Sequence, residues 1–211
     1  MATFHSKFYD DFKAALKLET PAQIGLRRVM NFFKAADSVW TVNKATAQTL
    51  IQYGYKGPIE VVYNGTDFTP PSDQKEKKET VNQLLNLDPE ETVFLFVGQH
   101  VWQKNLRMLL YALNNLKEMG ISFRMIFAGT GYAEEDLKEL TRELGMEKQL
   151  NFLGMVLDRE LLKALFVRAD LFLFPSIYDN APIVVREAAA ANCPAVLIEG
   201  ANSAEGISDN V

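Results

Sequence analysis

Three charged side chains stand just after apolar segments that read as strands, and their types suit the binding of an anion and of hydroxyl groups. Lys104 follows the segment 92–97 at the start of a predicted helix, and Asp179 and Glu187 follow the segment 171–174. An ammonium group pairs with phosphate at a helix start, where backbone N–H groups also attract negative charge. Carboxylates accept hydrogen bonds from paired hydroxyl groups. A solvated surface lysine and an ordinary surface acid pair are the alternatives.

Glycines follow two of the predicted strands, where the chain turns toward a helix. Gly98 and Gln99 come after the segment 92–97, and Gly129 and Gly131 come after the next strand. Glycine lets a backbone approach a ligand closely, but a tight turn without any ligand explains the same pattern. The Gly-Lys-[Ser/Thr] element of a P-loop is absent, and the dinucleotide fingerprint is incomplete. The sequence therefore disfavours a P-loop and a nicotinamide cofactor.

Strands and helices alternate strictly from residue 91 onward. The strands are continuous apolar runs, which is typical of a parallel sheet with helices on both faces. Right-handed crossovers make such a sheet doubly wound, and ligands bind beyond the carboxyl ends of its strands. The predicted strands are 92–97, 123–128, 149–153, 171–174 and 195–198, and the predicted helices are 104–119, 133–144, 159–168 and 184–191.

Composition divides the chain into three parts. Residues 1–66 contain mainly helix over 6–36, followed by predicted strands at 38–42 and 59–63 around a helix at 44–53. Residues 72–79 carry almost no apolar side chain. The segment 67–90 is therefore predicted to be a linker, or else a solvated surface segment, at a domain boundary before the alternating region 91–211.

Composition also limits the class of function. Hydrophobic residues make up 48% of the chain and the net charge is −5, which fits a globular protein and argues against a nucleic acid partner. The single cysteine, Cys193, excludes an internal disulfide, and a reducing cytoplasm is the simplest compartment. We expect Cys193 to be a buried packing residue. The apolar runs are much shorter than the ~20 residues of a membrane-spanning helix.

Residues 92–211 resemble the C-terminal domain of the retaining GT-B glycosyltransferases of the group 1 class, also called family four. The family's Gly-Arg-x-x-x-x-Lys-Gly pattern corresponds to residues 98–105, and its Gly-x-Gly turn to Gly129-Thr130-Gly131. The E-x₇-E signature falls on Asp179 and Glu187, and a Gly-x-Pro-Val-Val segment on Cys193 to Ile198. Upstream, the segments 37–43 and 61–67 are similar to the end of the family's N-terminal domain.

The resemblance implies a fold and a reaction. The fold is α/β, a doubly wound parallel sheet that forms the Rossmann-like half of a GT-B enzyme, with a partial second Rossmann-like domain in residues 1–66. The missing first strands of that domain would lie before Met1, and closing helices after Val211. The reaction is transfer of a hexosyl unit, with retention, from a nucleotide diphosphate sugar of the UDP or GDP type to a hydroxyl group of an acceptor sugar or lipid. We expect no metal and no other cofactor, and we expect the chain alone to be an inactive fragment.

The resemblance also implies a role for each matching residue. Lys104 would bind the donor diphosphate, Glu187 the ribose hydroxyl groups, and Asp179 the hydroxyl groups of the donor sugar. His5 falls where the family carries a histidine of the N-terminal domain, and it would contact the donor sugar or the acceptor across the cleft. The loop Ala181-Pro182-Ile183 would offer backbone N–H groups to phosphate or sugar, and the turns at Gly98, Gln99, Gly129 and Gly131 would border the donor.

Two positions depart from the family pattern. Gln99 replaces an arginine, and its amide can donate a hydrogen bond to phosphate but cannot neutralise it. His100 and Arg186 are the candidates to supply the missing charge. Asp179 replaces a glutamate, so its carboxylate is one methylene shorter, and we expect an altered sugar contact.

Two other functions stay open. A GT-B nucleotide-sugar epimerase would release nucleotide and epimerised sugar without an acceptor. A non-catalytic nucleotide-binding or interaction module, such as a receiver-like domain, would need an acidic cluster after the first strand, where Gly98-Gln99-His100 carries no acid. Peripheral association of a longer protein with the inner face of the membrane also stays open.

Overall fold

The computed structural model describes residues 1–205, which divide into two compact units. Unit 1 contains residues 1–64, 179–181 and those described from 200 onward, and unit 2 contains 65–178 and 182–199. In the described part of the chain no helix combines the length and the apolar character needed to cross a bilayer.

Unit 1 is built on a small parallel sheet. Its elements are β1 (Ala2–Phe4), α1 (Phe8–Leu16), α2 (Glu19–Lys34), β2 (Val39–Thr41), α3 (Lys44–Gln52) and β3 (Ile59–Val61). The strand order is β1-β2-β3, with Ala2 opposite Val39 and Val39 opposite Ile59. The core centres on Phe4, which is fully buried and lies edge-on to Phe33 and Tyr53. The helices predicted within 6–36 and at 44–53 and the strands predicted at 38–42 and 59–63 are confirmed, whereas β1 was not predicted.

Unit 2 is built on a five-stranded parallel sheet whose strands alternate with helices along the chain. Its elements are α4 (Gln74–Leu85), β4 (Val93–Val97), α5 (Leu106–Glu118), β5 (Arg124–Ala128), α6 (Glu134–Glu143), β6 (Leu150–Gly154), α7 (Arg159–Arg168), β7 (Leu171–Phe174), α8 (Ile183–Ala190) and β8 (Ala195–Leu197). All pairings are parallel, and the strand order is β6-β5-β4-β7-β8. The doubly wound α/β fold is therefore confirmed.

The strand order of unit 2 fixes where a crevice opens. The chain proceeds outward from β4 to β5 and β6, then returns to the other side of β4 with β7. In open α/β sheets the ligand crevice lies beyond the carboxyl ends of the strands at such a reversal. The turns after β4 and β7 therefore flank the crevice of unit 2.

The core of unit 2 explains why its strands are continuously apolar. Leu95, Phe96, Phe127 and Phe172 are fully buried, because helices cover both faces of the sheet. Cys193 is buried beside them, as the sequence predicts, and burial raises the pKa of its thiol to about 12.

The prediction of a linker over 67–90 is wrong. The segment contains α4, which packs against α7 through the fully buried Val81. On α7, the buried Arg168 donates hydrogen bonds to Asn82 and to the backbone oxygens of Asp88 and Glu91. Within α4 only Val81 is fully buried, so the helix needs few apolar residues to pack against α7. The sequence therefore lacks the apolar pattern by which an amphipathic helix is recognised.

Two further boundaries differ from the prediction. Residues 179–181 and those from 200 onward, expected in a continuous domain 91–211, group with unit 1. The helix expected from Lys104 begins at Leu106, because Asn105 has a φ of 59° and interrupts the helical run. Lys104 instead ends a short 3-10 helix that starts at Trp102.

Candidate functional site

The turns after β4 and β5 pack directly against each other, backbone to backbone. The N–H of Gly98 donates to Ala128 O at 3.0 Å, and the N–H of His100 donates to Thr130 O at 2.9 Å. A Cβ atom placed on Gly129 would lie 1.9 Å from the oxygen of Gly98. On Gly131 it would lie 2.2 Å from the oxygen of His100. Close packing of the two turns is therefore sufficient to explain both glycines.

A pocket opens beside these turns at the carboxyl ends of the first three strands of unit 2. It is lined by Val97, Gly98, Gln99, Ala128, Gly129, Thr130, Met155, Val156 and Leu162. The structure thus brings together three of the predicted residues, Gly98, Gln99 and Gly129. Sequence reasoning missed Met155 and Val156, although they directly follow β6, which pairs with β5. The ends of adjacent parallel strands meet at one edge, and this rule would have found them.

His100, in the turn after β4, has a buried side chain that supplies no positive charge to the pocket. Its side chain is fully buried, with its ring edge-on to those of Phe127 and Phe152. Nδ1 lies 3.4 Å from Glu134 Oε2, a contact without hydrogen-bond geometry. Burial, the largest influence, lowers the pKa of His100 despite the nearby carboxylate, so the imidazole is neutral at pH 7. His100 therefore does not replace the charge that is lost with Gln99.

Lys104 lies at the point where the strand order reverses. Its Nζ lies 5.3 Å from the centroid of the Phe174 ring, and Phe174 is the last residue of β7. The 3-10 helix that ends at Lys104 follows the turn after β4. The ammonium is thus placed between the carboxyl ends of β4 and β7, where the fold opens its crevice.

Glu187 is buried on α8 and is held by an arginine that the sequence did not single out. Its Oε1 accepts a hydrogen bond from Arg159 Nη1 at 2.9 Å. Arg159 also binds Asp67, and its guanidinium lies 4.4 Å from the centroid of the Phe68 ring. The hydrogen bond to Glu187 is the largest influence that raises the pKa of Arg159. Any ligand of Glu187 therefore shares this carboxylate with Arg159.

The remaining predicted residues divide between the two units. Asp179 and Ala181 belong to unit 1, together with His5, whereas Pro182 caps α8 and Ile183 begins it in unit 2. Within unit 1 the segment 179–181 is brought to His5, because Asn180 Nδ2 donates to the backbone oxygen of His5 at 2.8 Å. Lys104 and Glu187 both lie in unit 2.

The comparison with family models covers nearly the whole chain. The model of the glycosyl transferases group 1 matches residues 77–211, and the model of glycosyltransferase family 4 matches residues 1–69. An uncharacterised glycosyltransferase of Methanocaldococcus jannaschii is 30% identical over 141 residues, which cover 66% of this chain and 36% of that protein. A D-inositol 3-phosphate glycosyltransferase of a Mycobacterium species is 33% identical over 167 residues, covering 76% of this chain and 37% of that protein.

Solved structures show the same architecture. The crystal structure of HepE from Anabaena, in complex with UDP and glucose, has a TM-score of 0.76 at 23% identity. The match covers 90% of this chain and 52% of that one, so the chain spans between about a third and about half the length of the relatives described here. With its GT-B fold and the family match over residues 77–211, this chain belongs to the group 1 glycosyltransferases.

Proposed function

We propose that this chain carries the donor site of a retaining hexosyltransferase that uses a nucleotide diphosphate sugar. The observation that carries the proposal is the position of Lys104, whose ammonium lies over Phe174 where the strand order reverses. A cation at this point is suited to the diphosphate of the donor. The acceptor is a hydroxyl group of a sugar or lipid.

The donor nucleotide is of the UDP type. HepE of Anabaena, a structural neighbour, was crystallised with UDP and glucose. In this chain the pocket after β4, β5 and β6 combines the apolar side chains of Met155, Val156 and Leu162 with polar backbone groups of the glycine turns. Such a lining suits a flat base with a polar edge. The buried carboxylate of Glu187 is assigned to the ribose hydroxyl groups.

Charge stabilisation of the leaving group is the main contribution of the protein to catalysis. The transition state places positive charge on the sugar and negative charge on the departing diphosphate. Lys104 and the N-terminus of α8, which begins at Ile183 behind Pro182, offer positive potential to that charge. Gln99 adds a neutral hydrogen bond. The departing phosphate takes the proton of the acceptor hydroxyl on the same face of the sugar, so the reaction needs no protein base.

The segment 179–181 is assigned to the sugar end of the donor. Asp179 accepts hydrogen bonds from hydroxyl groups of the hexose, and the backbone around Ala181 contacts phosphate or sugar. His5, tied to this segment by Asn180, contacts the donor sugar or the acceptor. The 211-residue chain is expected to bind nucleotide without turnover, because its relatives contain much more protein than it does.

Calorimetric titration of the chain with UDP, GDP and ADP tests the proposal. We expect UDP to bind most tightly and Lys104→Ala to weaken it about 10- to 100-fold, because a hydrogen bond to a charged group contributes about 1.5–3 kcal/mol. The matched control is Lys148→Ala, a substitution of an exposed lysine outside the predicted site, which should leave the affinity unchanged. Absence of nucleotide binding, or equal effects of the two variants, would refute the donor site.

A further inference from the structure

Asn43 is a buried side chain whose amide makes hydrogen bonds at both of its ends. Its Oδ1 accepts from the N–H of Thr46 at 2.8 Å and from Thr46 Oγ1 at 2.6 Å, so it caps the N-terminus of α3. Its Nδ2 donates to the backbone oxygens of Asn180 at 2.7 Å and Asn202 at 3.2 Å. One residue in unit 1 thus joins the start of α3 to two distant segments of the chain.

Four asparagines hold the segment 179–181 from several directions. We call Asn43, Asn64, Asn180 and Asn202 the asparagine cluster. Asn64 Nδ2 donates to Ala181 O at 2.8 Å, and Asn202 Nδ2 donates to Asn180 Oδ1 at 3.0 Å. Asn180 in turn donates to His5 O. Because the backbone oxygens of two consecutive residues are fixed, the segment is held in one conformation.

The capping role alone does not require asparagine at position 43. Serine, threonine and aspartate cap a helix about as well, because the cap needs only a side-chain oxygen. Among these four residues only asparagine also has N–H donors in its side chain, and in Asn43 Nδ2 reaches Asn180. The asparagine at position 43 is therefore explained by its hydrogen bond to the segment 179–181 and not by the capping of α3 alone.

The start of α3 does not serve as a ligand site. The carboxylate of Glu205 accepts hydrogen bonds from the N–H groups of Lys44 and Ala45 at 2.7 and 2.6 Å, and Asn43 itself binds the N–H of Thr46. The N–H groups that would attract an anion are occupied by the protein's own side chains. The hydrogen bonds of Asn43 therefore serve to fix the segment 179–181 and not to bind a ligand at the start of α3.

We propose that Asn43 is a positioning residue for the donor sugar: by fixing the carbonyl of Asn180 it sets the place of the adjacent Asp179. This inference rests on the proposed function, in which Asp179 binds hydroxyl groups of the sugar. It predicts that the amide of Asn43 affects the sugar end of the donor and leaves the nucleotide end unaffected.

Hydrogen–deuterium exchange of the ligand-free chain tests the attachment by itself. In Asn43→Ser the cap of α3 is retained and the two donor bonds are lost, so the amides of residues 178–181 and of Ile183 should exchange about fivefold faster. Asn43→Asp should have a larger effect, because a carboxylate would face two carbonyl oxygens. The control Asn114→Ser makes the same exchange of residue type on α5, where Asn114 donates to Glu118, and should have no effect on this segment. Unchanged exchange in both Asn43 variants would overturn the attachment.

Titration of the same variants with UDP and UDP-glucose tests the role toward the sugar. We expect Asn43→Ser to keep the Kd for UDP within about twofold and to raise the Kd for UDP-glucose about fivefold, as expected from the loss of about one hydrogen bond to the sugar. Equal changes for both ligands would overturn the positioning role, since a general loss of structure affects both. If the unmodified chain bound neither ligand, the proposed function and the sugar role would fail together, and the exchange experiment would still decide the attachment.

Discussion

Arg159 and Glu187 form an ion pair of unequal exposure, and loss of the arginine should destabilise unit 2. The atoms Nη1 and Oε1 are 2.9 Å apart, and the two side chains are 46% and 9% exposed. Breaking a fully buried pair costs about 3–5 kcal/mol, whereas an exposed pair contributes about 0–1 kcal/mol. Because only Glu187 is buried, we expect Arg159→Ala to lower the free energy of unfolding of unit 2 by about 1–2 kcal/mol.

Differential scanning calorimetry measures this change. For a domain of this size, 1–2 kcal/mol corresponds to a decrease in Tm of about 3–6 °C. The same variant should raise the Kd for UDP about fivefold, since the carboxylate assigned to the ribose loses the group that orients it. Arg142→Ala, which removes an exposed arginine from α6, is the matched control and should change neither quantity.

A double-mutant cycle separates the Glu187 bond from the other contacts of Arg159, with Asp67 and Phe68. Glu187→Gln removes the buried charge, so Arg159→Ala should cost less in that background, with a coupling of about 1 kcal/mol. Additive effects, or an effect of Arg159→Ala no larger than that of Arg142→Ala, would show that this pair does not order the site.

Four further changes have defined outcomes. Gly129→Ala should lower the Tm of unit 2 by several degrees and weaken UDP binding, because its Cβ would clash with the Gly98 oxygen. Gly120→Ala is the calorimetric control: it has the same positive sign of φ but no atom near its Cβ, so it shows the effect of backbone strain without the clash. Val81→Asp should destabilise unit 2 by about 3 kcal/mol or more in urea unfolding, whereas a flexible linker would tolerate it. Cys193 should react with a thiol reagent at pH 8 only after unfolding, because burial raises its pKa to about 12. Because the pKa of His100 is lowered in the folded chain, the unfolded chain binds a proton at this imidazole more tightly. The free energy of unfolding should therefore fall as the pH decreases below about 6.5, and this decrease should be smaller in His100→Phe.

The pattern of apolar segments was sufficient to predict the sheet of unit 2. The strand Leu171–Phe174 is found where it was expected, since a run of four apolar residues is too short for a helix and is typical of a strand in a parallel sheet. The helix α4 was missed, because its contact with α7 buries one residue fully, Val81, and its first seven residues, 74–80, are all polar. The apolar periodicity of a sequence indicates a helix only when the helix buries enough of its surface to need several apolar residues.

Candidate site residues could be chosen from the sequence by residue type, but the residues that contact them could not. Glu187 was recognised from its position after β7, but the hydrogen bond from Arg159 spans 28 residues and leaves no local pattern. The bond from Asn43 to Asn180 spans 137 residues, and each asparagine by itself resembles an ordinary turn or cap residue. Only the folded chain brings such pairs together.

A crystal structure of the chain with UDP tests the donor site most directly. We expect the diphosphate within hydrogen-bond distance of Lys104 Nζ, the ribose hydroxyl groups on the Glu187 carboxylate, and the base in the pocket after β4, β5 and β6. UDP bound elsewhere, with neither Lys104 nor Glu187 in contact, would contradict it.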